Sequence, residues 1–119
     1  CKQLAQVVDV KKVFFVQVVD GERLKRPLTE DHEWYDPEQP PRMSWSRNAR
    51  LFYGEIDKGA YLPIKQILET YLYRLQYRGW MSFELFNRTM TDPDPLTPAL
   101  LAERAAVAWR KLVEDMGWC

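Results

Sequence analysis

The sequence predicts an α/β fold in which parallel strands are covered by helices. Two largely apolar runs, residues 13–20 and 79–86, carry Gln17 and Glu84 in their interiors. Such runs are typical of strands buried on both faces. Two further stretches, after residue 63 and after residue 97, place apolar side chains at helical spacing. Strands that alternate with helices indicate βα units and a parallel sheet.

The predicted elements follow one another without repeats. In chain order they are the last turns of a helix over residues 2–8, a strand at 13–19, a polar connection over 21–49, a short strand at 50–55, a helix over 63–77, a strand at 79–86 and a helix over 98–116. The helix over 63–77 begins with Pro63 at a favourable first position, and Gly79 follows its end. Thr97 and Gly117 bound the final helix in the same way.

The connection over residues 21–49 is long for a βα unit, where about 2 to 6 residues are common. Its four prolines and many charges exclude a core element, and long loops after barrel strands are more often functional lids. The local pattern is that of an α/β barrel. The 119 residues cover less than half of the roughly 250 that a complete (β/α)8 barrel needs. We therefore expect one domain, residues 1–119, with about three parallel strands and exposed sheet edges.

Composition narrows the class of protein. Lys and Arg total 17 and Asp and Glu total 17, so the formal net charge of zero favours neither nucleic acid nor an acidic membrane surface. No apolar stretch approaches the roughly 18 residues of a membrane span. The two cysteines, Cys1 and Cys119, favour a reduced compartment over a disulfide scaffold. We expect a soluble intracellular protein, and the absence of an initial Met suggests a piece of a longer chain.

Gln17 and Glu84 are the first candidate site residues, because burying either side chain without a partner is costly. Gln17, close to Asp20 at the strand end, could bind a hard divalent cation through its carbonyl oxygen, or it could satisfy backbone groups. Glu84 must be ion-paired, metal-bound or protonated. Spacing alone leaves these alternatives open.

A second candidate is the donor-rich segment from Ser44 to Arg50. Arginine is suited to bidentate capture of a carboxylate, although a solvated basic loop would look the same. His32, the single histidine, stands among acidic residues, where a surface role is favoured over a proton shuttle. The sequence contains no Gly-rich phosphate loop, no CxxC and no HExxH.

Four segments carry a family resemblance. Residues 15–20, 45–52, 61–63 and 79–88 resemble, in order, the C-terminal part of the 3-dehydroshikimate dehydratases. These enzymes belong to the xylose-isomerase-like TIM-barrel superfamily, with sugar isomerases, epimerases and type 2 apurinic endonucleases. The strand-end Gln-x-x-Asp and Ser-x-Glu-x-Phe patterns are shared across the superfamily. Trp45-Ser46-Arg47-x-x-Arg50-x-Phe52 and the Pro-rich loop before it are more specific.

The resemblance implies a lyase that converts 3-dehydroshikimate, a small-molecule substrate, to protocatechuate and water in quinate and shikimate catabolism. A divalent cation (Mg, Mn or Co) held by four strand-end ligands polarises the ketone. Gln17 matches the third ligand, Glu84 the fourth, and Ser46 and Arg50 match substrate-binding positions. The first two ligands, a Glu and an Asp, and a proton-transfer His belong to earlier strands, so no catalytic residue is expected in this chain.

These implications lead to a specific expectation. The chain would be strands six to eight of a cytoplasmic dehydratase, inactive alone, and its partners would be the remainder of the barrel or a second copy of itself. Two alternatives stay open: a sugar or sugar-phosphate isomerase or epimerase of the same superfamily, which would share Gln17 and Glu84, and a non-catalytic truncated barrel.

Overall fold

A computed structural model describes residues 1–118. The helices and strands, in chain order, are α1 (Lys2–Val7), β1 (Phe15–Gln17), β2 (Asp20–Gly21), α2 (Pro41–Asn48), β3 (Arg50–Leu51), α3 (Ile64–Glu69), β4 (Trp80–Ser82) and α4 (Thr97–Met116). Short 3-10 turns lie at Val10–Lys12, Ile56–Lys58 and Arg88–Thr91. Cys1 is exposed and free, whereas Cys119 lies outside the described residues.

The parallel pairing predicted for the two apolar runs is confirmed. Strands β1 and β4 are parallel neighbours, with Phe15 opposite Trp80 and Gln17 opposite Ser82. The ladder continues one step further, because the Val18 N–H donates to the Ser82 carbonyl at 2.7 Å. Parallel neighbours need a crossover connection, and α3 provides one between them.

The prediction of a third parallel strand at 50–55 is wrong. Strand β3 covers Arg50–Leu51 alone and pairs antiparallel with β2 in a separate two-stranded ladder. The chain turns at Phe52 because Glu55 closes a tight turn there. The Glu55 carboxylate accepts a hydrogen bond from the Phe52 N–H at 2.8 Å, and the Glu55 N–H donates back to the Phe52 carbonyl.

The prediction that the prolines exclude a core element from the polar connection over 21–49 is wrong, because the connection contains helix α2 with a buried side. Helix α2 begins with Pro41 at its first position, where a missing N–H costs nothing. Ser44 and Ala49, at and just after this helix, are buried. The error came from weighing the prolines as breakers when one of them opens a helix.

The expectation that the strands are buried on both faces is also wrong for the described residues. One face of the β1–β4 pair, here called the packed face, points Val16, Val18, Met81 and Phe83 towards the core. The other, the open face, is formed by Phe15, Gln17, Trp80, Ser82 and Glu84. Trp80 is 84% exposed and Phe15 is 60% exposed. The apolar runs therefore carry a second apolar face that the described part of the chain leaves in solvent.

The core lies between the packed face and the helices α3 and α4. Its buried members are Val18, Ile64, Leu68, Leu112 and Met116. The predicted helical stripes are thereby confirmed, since the last four of these residues come from them. The helix predicted over 63–77 is α-helical to Glu69 and continues as a π-helical turn over Thr70–Arg74.

Within residues 1–118, no helix is both long and apolar enough to cross a lipid bilayer.

Candidate metal and substrate site

Gln17 and Glu84 lie together on the open face. Gln17 ends β1, and Glu84 follows the end of β4 by two residues. Since Gln17 pairs with Ser82 in a parallel register, and since alternate strand residues share a face, Gln17, Ser82 and Glu84 lie on one side of the sheet. The sequence-based expectation that these two polar side chains meet at the carboxyl ends of neighbouring strands agrees with this geometry.

Glu84 forms an ion pair with Arg50. The Arg50 Nη1 contacts the Glu84 Oε2, and the two side chains are 25% and 37% exposed. The Arg50 hydrogen bond, with a further one from the Gln17 amide, holds the pKa of Glu84 below its usual range. Glu84 is therefore an ionised carboxylate, and an arginine is its charge partner.

The backbone of Arg50 is held tightly against the segment after Glu84. The Arg50 N–H donates to the Phe86 carbonyl at 3.1 Å, and the Asn87 Nδ2 donates to the Arg50 carbonyl at 2.8 Å. The Arg50 guanidinium lies 4.9 Å from the centre of the Phe86 ring. Strand β3 pairs with β2 in the other ladder, and these contacts bring it close to the carboxyl ends of β1 and β4.

Ser46 lies in the last turn of α2, four residues before Arg50. Its Oγ donates to the Met43 carbonyl of the same helix at 3.1 Å. The helix is attached to β2 through Trp45, whose Nε1 donates to the Glu22 carbonyl at 2.8 Å. A Cβ added at Gly21 would lie 2.5 Å from the Trp45 ring, so this close contact needs glycine.

Asp20, the other strand-end oxygen, has a structural role. Its Oδ1 accepts hydrogen bonds from the N–H groups of Gly21 at 2.7 Å, Leu62 at 2.9 Å and Tyr61 at 3.1 Å. Asp20 is buried. Three backbone donors on one oxygen fix residues 61–62 to β2. The sequence alone could not distinguish this structural role from metal binding.

The expectation that His32 is a surface residue is wrong. His32 is buried, and its Nδ1 accepts a hydrogen bond from the Trp34 N–H at 3.1 Å. Its ring lies 5.0 Å from the Trp34 ring. The described contacts of His32 thus lie within the Pro-rich connection.

The donor set at Gln17 and Glu84 fits a hard divalent cation in kind, because both offer oxygen atoms. The number of ligands is low. Among residues 1–118, no group of three or more His, Cys, Asp or Glu side chains is arranged to hold a metal ion. Gln17 and Glu84 are thus two oxygen donors that the described residues bring together, and cation binding by them stays a prediction.

A second polar cluster was missed by the sequence analysis. Arg104 of α4 clamps the buried Glu55 through two hydrogen bonds of 2.7 and 2.9 Å, and Lys58 lies 3.5 Å from the same carboxylate. Burial acts to raise the pKa of Glu55, but the Arg104 bonds, the Phe52 N–H and the nearby cations together hold it below its usual range. The pair joins residues 49 positions apart, and no local pattern signals it.

Tyr53 lies beside this cluster. Its hydroxyl donates to the Asp115 carboxylate at 2.8 Å, and burial together with that bond raises the pKa of Tyr53 to about 12. Tyr53, Glu55 and Arg104 line a cleft of about 590 Å³ between the 53–58 loop and α4. Gln17 and Glu84 do not line this cleft, so the cleft and the candidate chemistry occupy different places.

Comparison with known proteins identifies a relative. The chain is 55% identical over 113 residues to 3-dehydroshikimate dehydratase of Neurospora crassa. The matched region covers 95% of this chain and 32% of that enzyme, so the chain spans about a third of the relative's length. No family model and no solved structure matches the chain. The family resemblance recognised in the sequence is thereby confirmed: along nearly its whole length, this chain is similar to one part of a 3-dehydroshikimate dehydratase.

Proposed function

We propose that this chain forms part of a metal-dependent 3-dehydroshikimate dehydratase with a (β/α)8 barrel, acting in the cytoplasm. The observation that carries the proposal is the meeting of Gln17, Glu84 and Arg50 at the carboxyl ends of two parallel strands. Barrel enzymes place their active sites at that end of the strands. The identity to the Neurospora crassa enzyme supports the choice of reaction.

The proposed reaction removes one water from a cyclic carboxylic acid. A proton leaves the carbon next to the ketone, the electron pair of that C–H bond forms a new C=C bond, and the hydroxyl on the following carbon departs. Proton and hydroxyl leave as water. Tautomerisation of the ring then gives protocatechuate, so no oxidant or reductant is needed.

Each site residue of this chain has one role in the proposal. Gln17 and Glu84 would bind a divalent cation, Mg, Mn or Co, which supplies polarisation of the ketone when bound. Arg50 would bind the substrate carboxylate, for which a guanidinium is suited in shape and charge. Ser46 would donate to the substrate from the last turn of α2. The proton-transfer histidine and the remaining two ligands would come from outside this chain.

This division of labour predicts that the 119-residue chain alone forms no protocatechuate. Two oxygen ligands would hold a hard cation weakly, and the family resemblance assigns the proton-transfer histidine to an earlier strand rather than to His32. The open face, with Phe15 and Trp80 in solvent, is the surface that the rest of a barrel would cover.

The test is a chimera in which this chain replaces the matching third of the Neurospora crassa enzyme. We expect the chimera to release protocatechuate from 3-dehydroshikimate, followed by its ultraviolet absorbance, only with a divalent cation present. Glu84→Gln should abolish turnover. Arg50→Ala should raise the KM for 3-dehydroshikimate at least tenfold, on the order of one lost charged contact.

The matched control is Arg47→Ala, which removes the same charge from the same segment. Arg47 bonds to the Gln39 side chain at 2.9 Å and should be dispensable for turnover. A folded chimera that is inactive with this chain but active with the native segment would contradict the proposed function. An unchanged KM in Arg50→Ala would instead favour the isomerase alternative, in which no substrate carboxylate is bound.

A further inference from the structure

We propose that Arg88 is a positioning residue of the substrate site, because it fastens the long connection over residues 21–49 to the segment that follows β4. The connection carries Ser46, and Glu84 lies in the segment after β4. The inference rests on the proposed function, because it takes Ser46 and Arg50 as substrate-binding residues. Arg88 acts through the connection, and its effect is on where these two side chains stand relative to Glu84.

The Arg88 side chain reaches the beginning, the middle and the end of the connection. Its Nη1 donates to the Glu22 Oε2 at 2.6 Å and to the Asn48 carbonyl at 3.4 Å. The centre of its guanidinium lies 5.0 Å from the centre of the Trp34 ring. One side chain therefore holds three separate parts of the connection against the segment after β4.

Glu22 is the point at which the two ends of the connection meet. Its N–H donates to the Ala49 carbonyl at 2.8 Å, and its carbonyl accepts a hydrogen bond from the Trp45 Nε1 at 2.8 Å. The backbone of Glu22 thus closes the connection on itself. Its carboxylate, paired with Arg88, links that closed connection to the segment after β4.

The contact with Asn48 extends the alignment that holds the backbone of Arg50. Ala49 bridges antiparallel to Asn87. In that register Asn48 lies opposite Arg88. Asn48 is also the last residue of α2, and its carbonyl lies at the negative end of the helix, where a cation is stabilising. Arg88 therefore holds the end of α2 from which the chain enters Arg50.

The Arg88 contacts are of a strength that can be lost without unfolding the chain. Arg88 and Glu22 are 44% and 23% exposed. A single ion pair at such a site stabilises little, but the Trp34 ring adds a second contribution. Losing both should shift the equilibrium between an attached and a detached connection by about three- to tenfold. The core around Leu112 is built from other residues and should remain intact.

Detachment of the connection has a specific kinetic consequence. The substrate would contact Ser46 and Arg50, so it binds the attached form and draws the connection back into place. The apparent affinity falls with the fraction of molecules in the attached form, whereas a saturated site is attached in every molecule. A positioning role of Arg88 therefore predicts a higher KM at an unchanged kcat.

The test uses the chimera with the Neurospora crassa enzyme. Arg88→Ala should raise the KM for 3-dehydroshikimate about three- to tenfold and leave kcat within about twofold. Arg88→Lys should recover part of the loss, because a lysine keeps the charge near Glu22 but not the planar contact with Trp34. Arg26→Ala is the matched control. Arg26 pairs with Asp31 at 3.0 Å inside the connection, so its loss should change KM by less than about twofold.

A partner variant tests whether Arg88 acts through Glu22. Glu22→Gln should raise KM in the same direction, and the double variant with Arg88→Ala should raise KM less than the product of the two single effects. Fully multiplicative effects, or a fall in kcat at an unchanged KM, would overturn the positioning role. An active chimera whose KM ignores Arg88→Ala would overturn it as well, while the proposed function would stand.

Hydrogen exchange gives a readout without turnover, in the chimera and in the 119-residue chain. Followed by mass spectrometry, Arg88→Ala should speed exchange in peptides that contain Glu22 by about three- to tenfold. Peptides of α4 around Leu112 should exchange as in the unmodified protein, and Arg26→Ala should leave the Glu22 peptides within about twofold. Exchange that quickens equally in both places, or in neither, would contradict the inference even if the chimera were inactive.

Discussion

The two faces of the same strand pair differ sharply. On the packed face, Val18 and Met81 meet the helices, and Leu112 of α4 is completely buried among them. On the open face, Phe15 and Trp80 stand in solvent beside Gln17 and Glu84. The packed face holds the described residues together, whereas the open face carries the candidate chemistry. Because Phe15 and Trp80 are apolar although they face solvent, the sequence pattern could not tell the two faces apart.

The largest expected effect is in the core that covers the packed face. Leu112→Ala should lower the free energy of unfolding by about 2 to 5 kcal/mol, because it removes buried methyl groups and leaves a cavity. Urea denaturation followed by circular dichroism measures it. Leu100→Ala, on the same helix at a side chain that is 53% exposed, is the control and should change stability by about 0.5 kcal/mol or less. Equal effects at the two sites would contradict the placement of Leu112 in the core.

A slightly smaller loss is expected at the Glu55–Arg104 pair, which ties α4 to the loop after β3. Arg104→Ala should cost about 3 kcal/mol, because the buried Glu55 carboxylate would lose both Arg104 hydrogen bonds and keep only Lys58 as a charge partner. Thermal unfolding checks this. Lys65→Ala, which removes a surface partner 3.9 Å from Glu69, should cost no more than about 0.5 kcal/mol.

The same pair predicts a pH dependence. The pKa of Glu55 is lowered in the fold, so the unfolded chain binds its proton more readily. The stabilisation is fully present above the unfolded pKa of about 4.3 and is lost as the pH falls through the lower folded value. Unfolding midpoints of the unmodified chain should therefore fall below about pH 4.3. Glu55→Gln should flatten that fall; an unchanged slope would mean that other carboxylates dominate it.

The smallest effect on stability is expected on the open face. Trp80→Ser should change the free energy of unfolding by about 0.5 kcal/mol or less, because Trp80 is 84% exposed. We also expect the mass of the unmodified chain, measured by light scattering, to rise with concentration, because exposed strand edges and aromatic side chains favour association. Trp80→Ser should reduce that rise. Leu96→Ser, an exposed apolar residue at the start of α4, is the control. A monomeric unmodified chain at high concentration would show that the open face does not self-associate.

Several predictions from sequence were confirmed because they depend on local spacing. The apolar stripes of the two long helices and the parallel pairing of the two apolar runs follow from periodicity and element order. The failures concern contacts that spacing does not reveal. The direction of β3 is set by its pairing with β2, and α2 is fixed by the contact of Trp45 with Glu22, both between residues far apart in the chain. The burial of His32 instead accompanies its contacts with Trp34, which no spacing pattern announced.

For the candidate site, too, the residue types were predictable from sequence and the contacts between them were not. The residue types alone indicated a carboxylate and an amide at two strand ends and an arginine suited to carboxylates. Only the tertiary structure decided that Arg50 is paired with Glu84, because that contact joins residues 34 positions apart on different ladders. It also decided that Asp20 binds three backbone N–H groups and that Glu55 meets Arg104. Apolar periodicity and side-chain chemistry are local properties that the sequence shows directly. Which charges pair depends instead on which distant segments the packing of the core brings together.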